Sequence, residues 1–146
     1  MQKVLVDSGP LIALFDKHDR YHERFKLFLT DFKGKLITSW PVLTEVSHLL
    51  DFSKEAQIDF LRWIYAGGVE IVNVSTTGLL RIIELIDKYS DVPMDLADAS
   101  LMYLAEDQDI QAVATIDTDY YIYRTKEKKS LKNVLEPFLD GNGRRR

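Results

Sequence analysis

The stretch KVLVDSGPLIALF, residues 3–15, decides the fold because its pattern changes in the middle. Residues 3–6 form a short apolar run that is typical of a buried strand, and the run ends at Asp7. A serine and a glycine lead to Pro10, which suits the first turn of a helix, so we expect a helix through about Phe15. The stretch therefore predicts a strand, a turn and a helix, with a carboxylate where the strand ends.

The same alternation of strands and helices continues along the chain. Further strands are predicted at residues 36–38, 69–74, 112–115 and 121–123. Helices are predicted at residues 19–32, 39–50, 53–65, 75–89 and 94–107. Because strands that alternate with helices usually pair in parallel, this order predicts an α/β fold whose central sheet is covered by helices on both faces.

Length and composition narrow the class of protein. The chain has 146 residues, of which 46% are hydrophobic, so we expect one domain over residues 1–137 and a flexible tail over residues 138–146. It contains no cysteine, which excludes disulfides and thiolate metal sites and fits a cytoplasmic location. No apolar run reaches the length of a membrane span, and no segment matches a phosphate-binding glycine loop or a Ser-His-Asp triad.

Four acidic residues fall where a functional site is expected. Asp7 and Asp117 follow the first and fourth predicted strands, and ligands of parallel sheets bind at the carboxyl ends of the strands. Glu45 and Asp98 share helix faces with apolar residues, where a lone charge is costly to bury. Because ionised carboxylates repel one another, gathering them requires a cation, and oxygen ligands without thiolates favour Mg²⁺ or Mn²⁺ over Zn²⁺.

Each of these acids also has an ordinary structural interpretation. Asp7 suits a strand-end turn, Asp117 suits an Asx-turn, and Glu45 suits the border of a wide apolar stripe. Asp95 and Asp98 have the spacing of a capping box, in which the first acid caps the helix and the second reaches back. On the residues alone, both interpretations of the acids remain open.

Four segments, in this order, carry a resemblance to a known family. They are VLVDSGPLIALFDKHDRYHE, PVLTEVSHLL, DLADASLMYLAE and ATIDTDYYIYR. From Val4 to about Pro137, the chain resembles the PIN-domain family, close to the VapC-like ribonuclease toxins of prokaryotes. The resemblance implies a three-layer α/β/α sandwich with a central, mostly parallel sheet, and a Mg²⁺- or Mn²⁺-dependent endoribonuclease that hydrolyses RNA. The alternative is a catalytically silent PIN-like module that binds a protein or RNA partner.

The resemblance also assigns roles to residues by position. The catalytic and metal-binding acids that it implies are Asp7, Glu45, Asp98 and Asp117. Ser8 and Thr115 match hydroxyl positions that support the first and last acids, and Asp119 is a near neighbour that shares or replaces the role of the last. Asp95 is an additional acid and a departure from the pattern, so helix capping is its best interpretation. Tyr120 and Tyr121 stand where similar proteins often have Asp-Phe.

The partners implied by the resemblance are an RNA substrate, an antitoxin protein and a second copy of the chain in a homodimer. The apolar helices at residues 19–32 and 53–65 are candidates for the dimer face or for the surface that holds an antitoxin.

Contacts with the substrate are less specific in the sequence. The formal net charge is −4, so RNA must be held by local basic groups or through metal ions. A basic cluster follows the last acid and either holds phosphates or forms a solvated loop; its members are Arg124, Lys126, Lys128, Lys129 and Lys132. Tyr120, Tyr121 and Tyr123 either stack on unpaired bases or pack on the core.

Overall fold

A five-stranded sheet forms the centre of the structure, a computed structural model that describes residues 1–139. The strands are β1 Lys3–Val6, β2 Lys35–Thr38, β3 Glu70–Ile71, β4 Ala112–Ala114 and β5 Lys132–Asn133. They are ordered β3-β2-β1-β4-β5, so the first strand of the chain lies in the middle of the sheet. All neighbouring strands in this sheet run parallel.

Helices flank the sheet and connect its strands. They are α1 Ser8–Phe15, α2 His22–Asp31, α3 Trp40–Leu49, α4 Lys54–Tyr65, α5 Leu79–Lys88 and α6 Leu96–Asp107. Short 3₁₀ helices lie at Thr76–Gly78, Thr118–Tyr121 and Glu136–Phe138. This arrangement confirms the predicted α/β/α sandwich. Within residues 1–139, no helix combines the length and the apolar character that a membrane span requires.

The central strand β1 explains why the opening stretch of the chain determines the fold. Val4, Leu5 and Val6 are completely buried, and Leu5 lies opposite Ile37 of β2 and Val113 of β4. Because helices cover both faces of the sheet, successive residues of a strand are all buried, which produces a continuous apolar run. Because the strands are parallel, the residues that follow β1, β2 and β4 meet at one edge of the sheet.

The prediction of a strand at residues 121–123 is wrong. The side chain of Asp117 accepts the backbone N–H of Asp119 at 2.9 Å, which turns the chain into the 3₁₀ helix. Tyr121 and Tyr123 gave this segment a strand-like alternation, but Tyr123 packs in the core whereas Tyr121 is 43% exposed. The fifth strand is β5 instead. Most of the predicted tail, residues 140–146, lies outside the described residues.

Asn133 takes over part of the backbone pairing at the end of β4. Its buried side chain accepts the backbone N–H groups of Thr115 and Leu135, at 3.2 and 3.1 Å, and donates to the carbonyl of Thr115 at 3.0 Å. Buried backbone groups without partners are costly, so the amide satisfies both polar groups of Thr115 at once. The consequence is that Thr115 is fixed at the carboxyl edge of the sheet.

Candidate active site

Three acidic side chains meet at the carboxyl edge of the sheet. Asp7 directly follows β1, Asp117 follows β4, and Asp98 lies in the first turn of α6. Each offers one carboxylate oxygen, and these oxygens all lie within 4.8 Å of one another. We call Asp7, Asp98 and Asp117 the acid cluster. The structure thus brings together three of the four acids that the sequence singled out.

Asp7 is the most deeply placed acid of the cluster. It is 4% exposed, and its Oδ2 accepts the hydroxyl of Thr115 at 2.9 Å. Burial raises the pKa of Asp7 to about 6, and the negative charges of Asp117 and Glu45 act in the same direction. The backbone N–H of Ser8 and the hydroxyl of Thr115 favour the charged form and offset only part of this effect. Asp7 Oδ1 is buried and accepts no hydrogen bond from the described part of the chain.

Asp98 belongs to the acid cluster and to a capping box at the same time. The side chain of Asp95 accepts the N–H of Asp98 at 2.9 Å, and Asp98 Oδ2 accepts the N–H of Asp95 at 3.4 Å. Burial, followed by the charges of Asp7 and Asp95, raises the pKa of Asp98 to about 8. Asp95 is exposed and caps α6, as its helix-start position suggested. The two interpretations of Asp98 are therefore compatible.

The hydroxyl of Thr115 links two acids of the cluster. It donates to Asp7 and accepts the backbone N–H of Asp117 at 2.9 Å. Asp117 in turn accepts the N–H of Asp119, which is the Asx-turn that the sequence suggested. Asp119 is partly exposed, and burial followed by the charge of Asp117 raises its pKa. Thr115 therefore contacts both of the acids that the resemblance paired with supporting hydroxyls, whereas Asp119 lies beside the cluster.

Glu45 lies at the edge of the site rather than in the acid cluster. It is half-buried on α3, close enough for its charge to raise the pKa of Asp7. The distance between α3 and α6 is held by the buried hydroxyls of Ser39 and Ser100, whose oxygens are 2.7 Å apart. Ser100 also donates to the carbonyl of Ala97 at 2.7 Å. Sequence reasoning missed this pair, because two serines sixty-one positions apart carry no spacing signal.

Three lysines of the basic cluster lie away from the acids. A cavity of about 480 Å³ is lined by Lys126, Lys129 and Lys132 together with Gln111 and Leu131. The last two residues directly precede β4 and β5, so this cavity is at the amino ends of strands whose carboxyl ends face the acid cluster. The solvated-loop interpretation therefore fits these lysines better than phosphate binding beside the acids.

The tyrosines that follow Asp117 divide into two groups. Tyr120 and Tyr123 are 2% and 0% exposed, so both pack in the core and neither is available for stacking on a base. Tyr121 is 43% exposed, and its hydroxyl donates to Glu136 at 3.1 Å. Of the two predicted alternatives, base stacking and core packing, Tyr120 and Tyr123 therefore show core packing.

The donor chemistry of the acid cluster fits a hard divalent cation. Its three side chains supply only carboxylate oxygens, which Mg²⁺ and Mn²⁺ prefer. Buried carboxylates of like charge are stable together only if they take up protons or a cation. The unpartnered Oδ1 of Asp7 is the specific atom whose missing interaction a cation would supply.

The raised pKa values predict how the metal-free protein responds to pH. Each group binds its proton more tightly in the folded chain, so the folded state loses stability as the pH rises from about 4 through about 6 for Asp7 and about 8 for Asp98. For Asp7 alone the loss is up to about 3 kcal/mol, from 1.36 kcal/mol per pKa unit. We expect thermal melts in chelator to show this loss between about pH 4 and pH 8.

Asp7→Asn provides the matched variant for these melts. The amide still accepts the hydroxyl of Thr115 but carries no charge, so its pH-dependent loss should be smaller and its melting temperature at about pH 8 equal to or above that of the parent. Added Mg²⁺ or Mn²⁺ should raise the melting temperature of the parent more than that of the variant. A metal-free variant that melts well below the parent would instead make Asp7 a structural hydrogen-bonding residue.

Comparison with known proteins agrees with this geometry. Residues 4–128 match the PIN domain family. Ribonuclease VapC26 of Mycobacterium tuberculosis is 22% identical over 120 residues, which are 81% of this chain and 89% of that protein. The crystal structure of VapC20 from the same organism, described as a sarcin-ricin loop cleaving toxin, aligns with a TM-score of 0.76 and 20% identity over 82% of this chain and 93% of its own.

A further structural neighbour is VapBC2 from Rickettsia felis bound to a DNA fragment from their promoter. It aligns with a TM-score of 0.64 and 16% identity over 90% of this chain and 98% of its own. The match to the family covers most of the chain and includes the strand, helix and turn that carry Asp7, Asp98 and Asp117. The chain therefore belongs to the PIN domain family.

Proposed function

We propose that the chain is a Mg²⁺- or Mn²⁺-dependent endoribonuclease that hydrolyses RNA phosphodiester bonds, and that it is the toxin of a toxin–antitoxin pair. The observation that carries the proposal is the acid cluster, with its carboxylate oxygens within 4.8 Å and the unpartnered Oδ1 of Asp7. The curated relative is named a ribonuclease, and a structural neighbour is described as a toxin that cleaves the sarcin-ricin loop. Residues 1–137 would form the nuclease domain.

The acids would have different roles in catalysis because they occupy different positions. Asp7, Asp98 and Asp117 would hold the cation, and Thr115 keeps two of them oriented through its hydroxyl. A bound divalent cation lowers the pKa of a water so that it can attack phosphorus, and it offsets the charge that develops on the phosphate. Glu45, whose charge raises the pKa of Asp7, would orient that water or complete the set of ligands.

The acid edge of the sheet would repel an RNA phosphate unless a cation is bound there. The net charge is −4, and three lysines of the basic cluster line a cavity at the other end of β4 and β5, so neutralisation of the phosphate at the acids would depend on the cation. The alternative, a catalytically silent binding module, does not explain why the chain buries carboxylates that repel one another. Titration with Mn²⁺ separates the two, since a silent module need not bind the ion.

The exposed apolar side chains support a homodimer through α5. Helix α2 buries Phe25 and Phe28 in the core, so residues 19–32, one of the candidate dimer faces, expose little apolar surface to a second copy. Helix α5 and the start of α6 instead expose a stripe that consists of Leu79, Leu80, Ile83, Ile86 and Leu96. An apolar helix face of this kind suits an isologous contact with the same face of a second copy. We propose this stripe as the dimer face.

The groove between α3 and α4 supports an antitoxin partner. Two adjoining cavities of about 450 and 380 Å³ share Trp40, Leu43 and Leu61 in their walls. Trp40 and Tyr65 at this groove are 57% and 95% exposed, which is apolar surface that a peptide segment would cover. The structural neighbours include toxin–antitoxin complexes. Copurification of the chain with the product of a small neighbouring reading frame tests this partner.

The function is tested by incubating the purified full chain with single-stranded and looped RNA. We expect cleavage in Mg²⁺ or Mn²⁺ and its loss in excess chelator, because the acid cluster supplies only carboxylates and activation of the attacking water would depend on the cation that they hold. Gel analysis of end-labelled RNA provides the measurement. Cleavage that continues undiminished in chelator would refute the metal-dependent mechanism.

Asp95→Asn and Asp98→Asn form a matched pair for the assignment of the two helix-start acids. Asp98→Asn removes a charge from the acid cluster and should lower turnover by at least about 100-fold, in line with loss of a group needed in the transition state. Asp95→Asn should retain most activity, because asparagine caps helices well. Rates are compared at equal folded fraction, and a larger loss in Asp95→Asn would reverse the assignment.

Ile83→Asp tests the dimer face. Ile83 is 60% exposed, so a charge there should not disturb folding but should split the dimer into monomers in sedimentation equilibrium. Ile58→Asp on α4 is the control, because Ile58 is 41% exposed on a different helix and its replacement should leave the dimer intact. A monomeric parent, or dissociation by Ile58→Asp alone, would contradict the proposed face.

A further inference from the structure

A buried tyrosine hydroxyl makes a hydrogen bond to one residue of the acid cluster. Tyr120 lies in the 3₁₀ helix Thr118–Tyr121 and is 2% exposed. Its hydroxyl donates to Asp98 Oδ1 at 3.3 Å. The hydrogen bond joins the turn after β4 to the first turn of α6, so the two segments that supply Asp117 and Asp98 are connected by a side chain that is not itself acidic.

Aromatic packing fixes the position of this hydroxyl. The ring of Tyr120 meets the ring of Tyr123 edge to face at 5.2 Å, and Tyr123 meets Tyr89 in the same way at 5.1 Å. Tyr89 lies at the end of α5, and its hydroxyl accepts the backbone N–H of Arg124 at 2.9 Å. Edge-to-face pairs of this kind restrict ring orientation. Tyr120 is therefore held by ring packing as well as by its hydrogen bond to Asp98.

The carboxylate of Asp98 receives one donor on each oxygen. Tyr120 donates to Oδ1, and the backbone N–H of Asp95 approaches Oδ2 at 3.4 Å. Rotation about the last side-chain torsion of aspartate is soft, so donors on both oxygens are needed to define the plane of the carboxylate. Each carboxylate oxygen has two lone pairs, so one remains available to a cation after such a bond.

We propose that Tyr120 is a positioning residue whose hydroxyl orients Asp98 toward Asp7 and Asp117 and thereby increases the affinity of the acid cluster for Mn²⁺ or Mg²⁺. The inference rests on the proposed metal-dependent function. Hydrogen bonds to the ligands of a metal tune its affinity, and Thr115 already has this role for Asp7. Tyr120 gives Asp98 the equivalent support through a side-chain hydroxyl.

Tyr123 provides a control in the same group of rings. It is completely buried, like Tyr120, but its hydroxyl has no hydrogen-bond partner within residues 1–139. Replacing either tyrosine by phenylalanine keeps the ring and removes one hydroxyl. The two variants therefore differ in whether a bond to Asp98 is lost.

The experiment measures Mn²⁺ binding by calorimetry and metal-free melting temperature for the full-length parent, Tyr120→Phe and Tyr123→Phe. We expect Tyr120→Phe to bind Mn²⁺ at least about tenfold more weakly than the parent and Tyr123→Phe to bind it as tightly as the parent. The metal-free melting temperature of Tyr120→Phe should lie only slightly below that of Tyr123→Phe, because both variants keep the ring and only the first loses a hydrogen bond, the one to Asp98.

The other outcomes overturn the inference in distinguishable ways. Equal Mn²⁺ affinity in Tyr120→Phe and Tyr123→Phe would remove the positioning role but leave the metal site intact. A metal-free Tyr120→Phe protein that melts far below Tyr123→Phe would make the hydroxyl a structural group. A parent that binds no Mn²⁺ would refute the proposed function itself, and this inference with it.

Discussion

Electrostatic repulsion within the acid cluster is the constraint on which the rest of the site depends. Asp7, Asp98 and Asp117 bring carboxylate oxygens within 4.8 Å, and Asp7 does so while almost completely buried. At such distances and in a medium less polar than water, like charges disfavour one another strongly. The fold holds them together because each is attached to a rigid element, and the apolar core under β1 supplies the stability that the acids do not.

Short polar contacts around the cluster define its geometry, whereas the apolar interior defines the fold. Thr115 bridges Asp7 and Asp117, the capping box orients Asp98, and Asn133 fixes Thr115 from the side of β5. These contacts are buried or partly buried, so each of them is stronger than it would be in water. A site made in this way is prearranged for a cation before the ion arrives.

The sequence was sufficient for the parts of the structure that follow from local pattern. The strand, turn and helix at residues 3–15 and the strand-end positions of Asp7 and Asp117 follow from periodicity and from the geometry of parallel sheets. The misplaced strand at residues 121–123 arose because Tyr121 and Tyr123 resemble the alternation of a strand. Asn133 and the Ser39–Ser100 pair were invisible because their roles depend on contacts between distant segments.

The raised pKa values of Asp7 and Asp98 have a consequence for how the site exchanges ions. In the absence of a metal, Asp98 would keep its proton near pH 7 because its pKa is raised to about 8, whereas Asp7, whose pKa is raised to about 6, would be mostly ionised. Binding a cation through Asp98 would then release that proton, so uptake of the ion would be an exchange reaction rather than a simple addition. As the pH falls, protons would compete with the divalent ion for the same carboxylate oxygens.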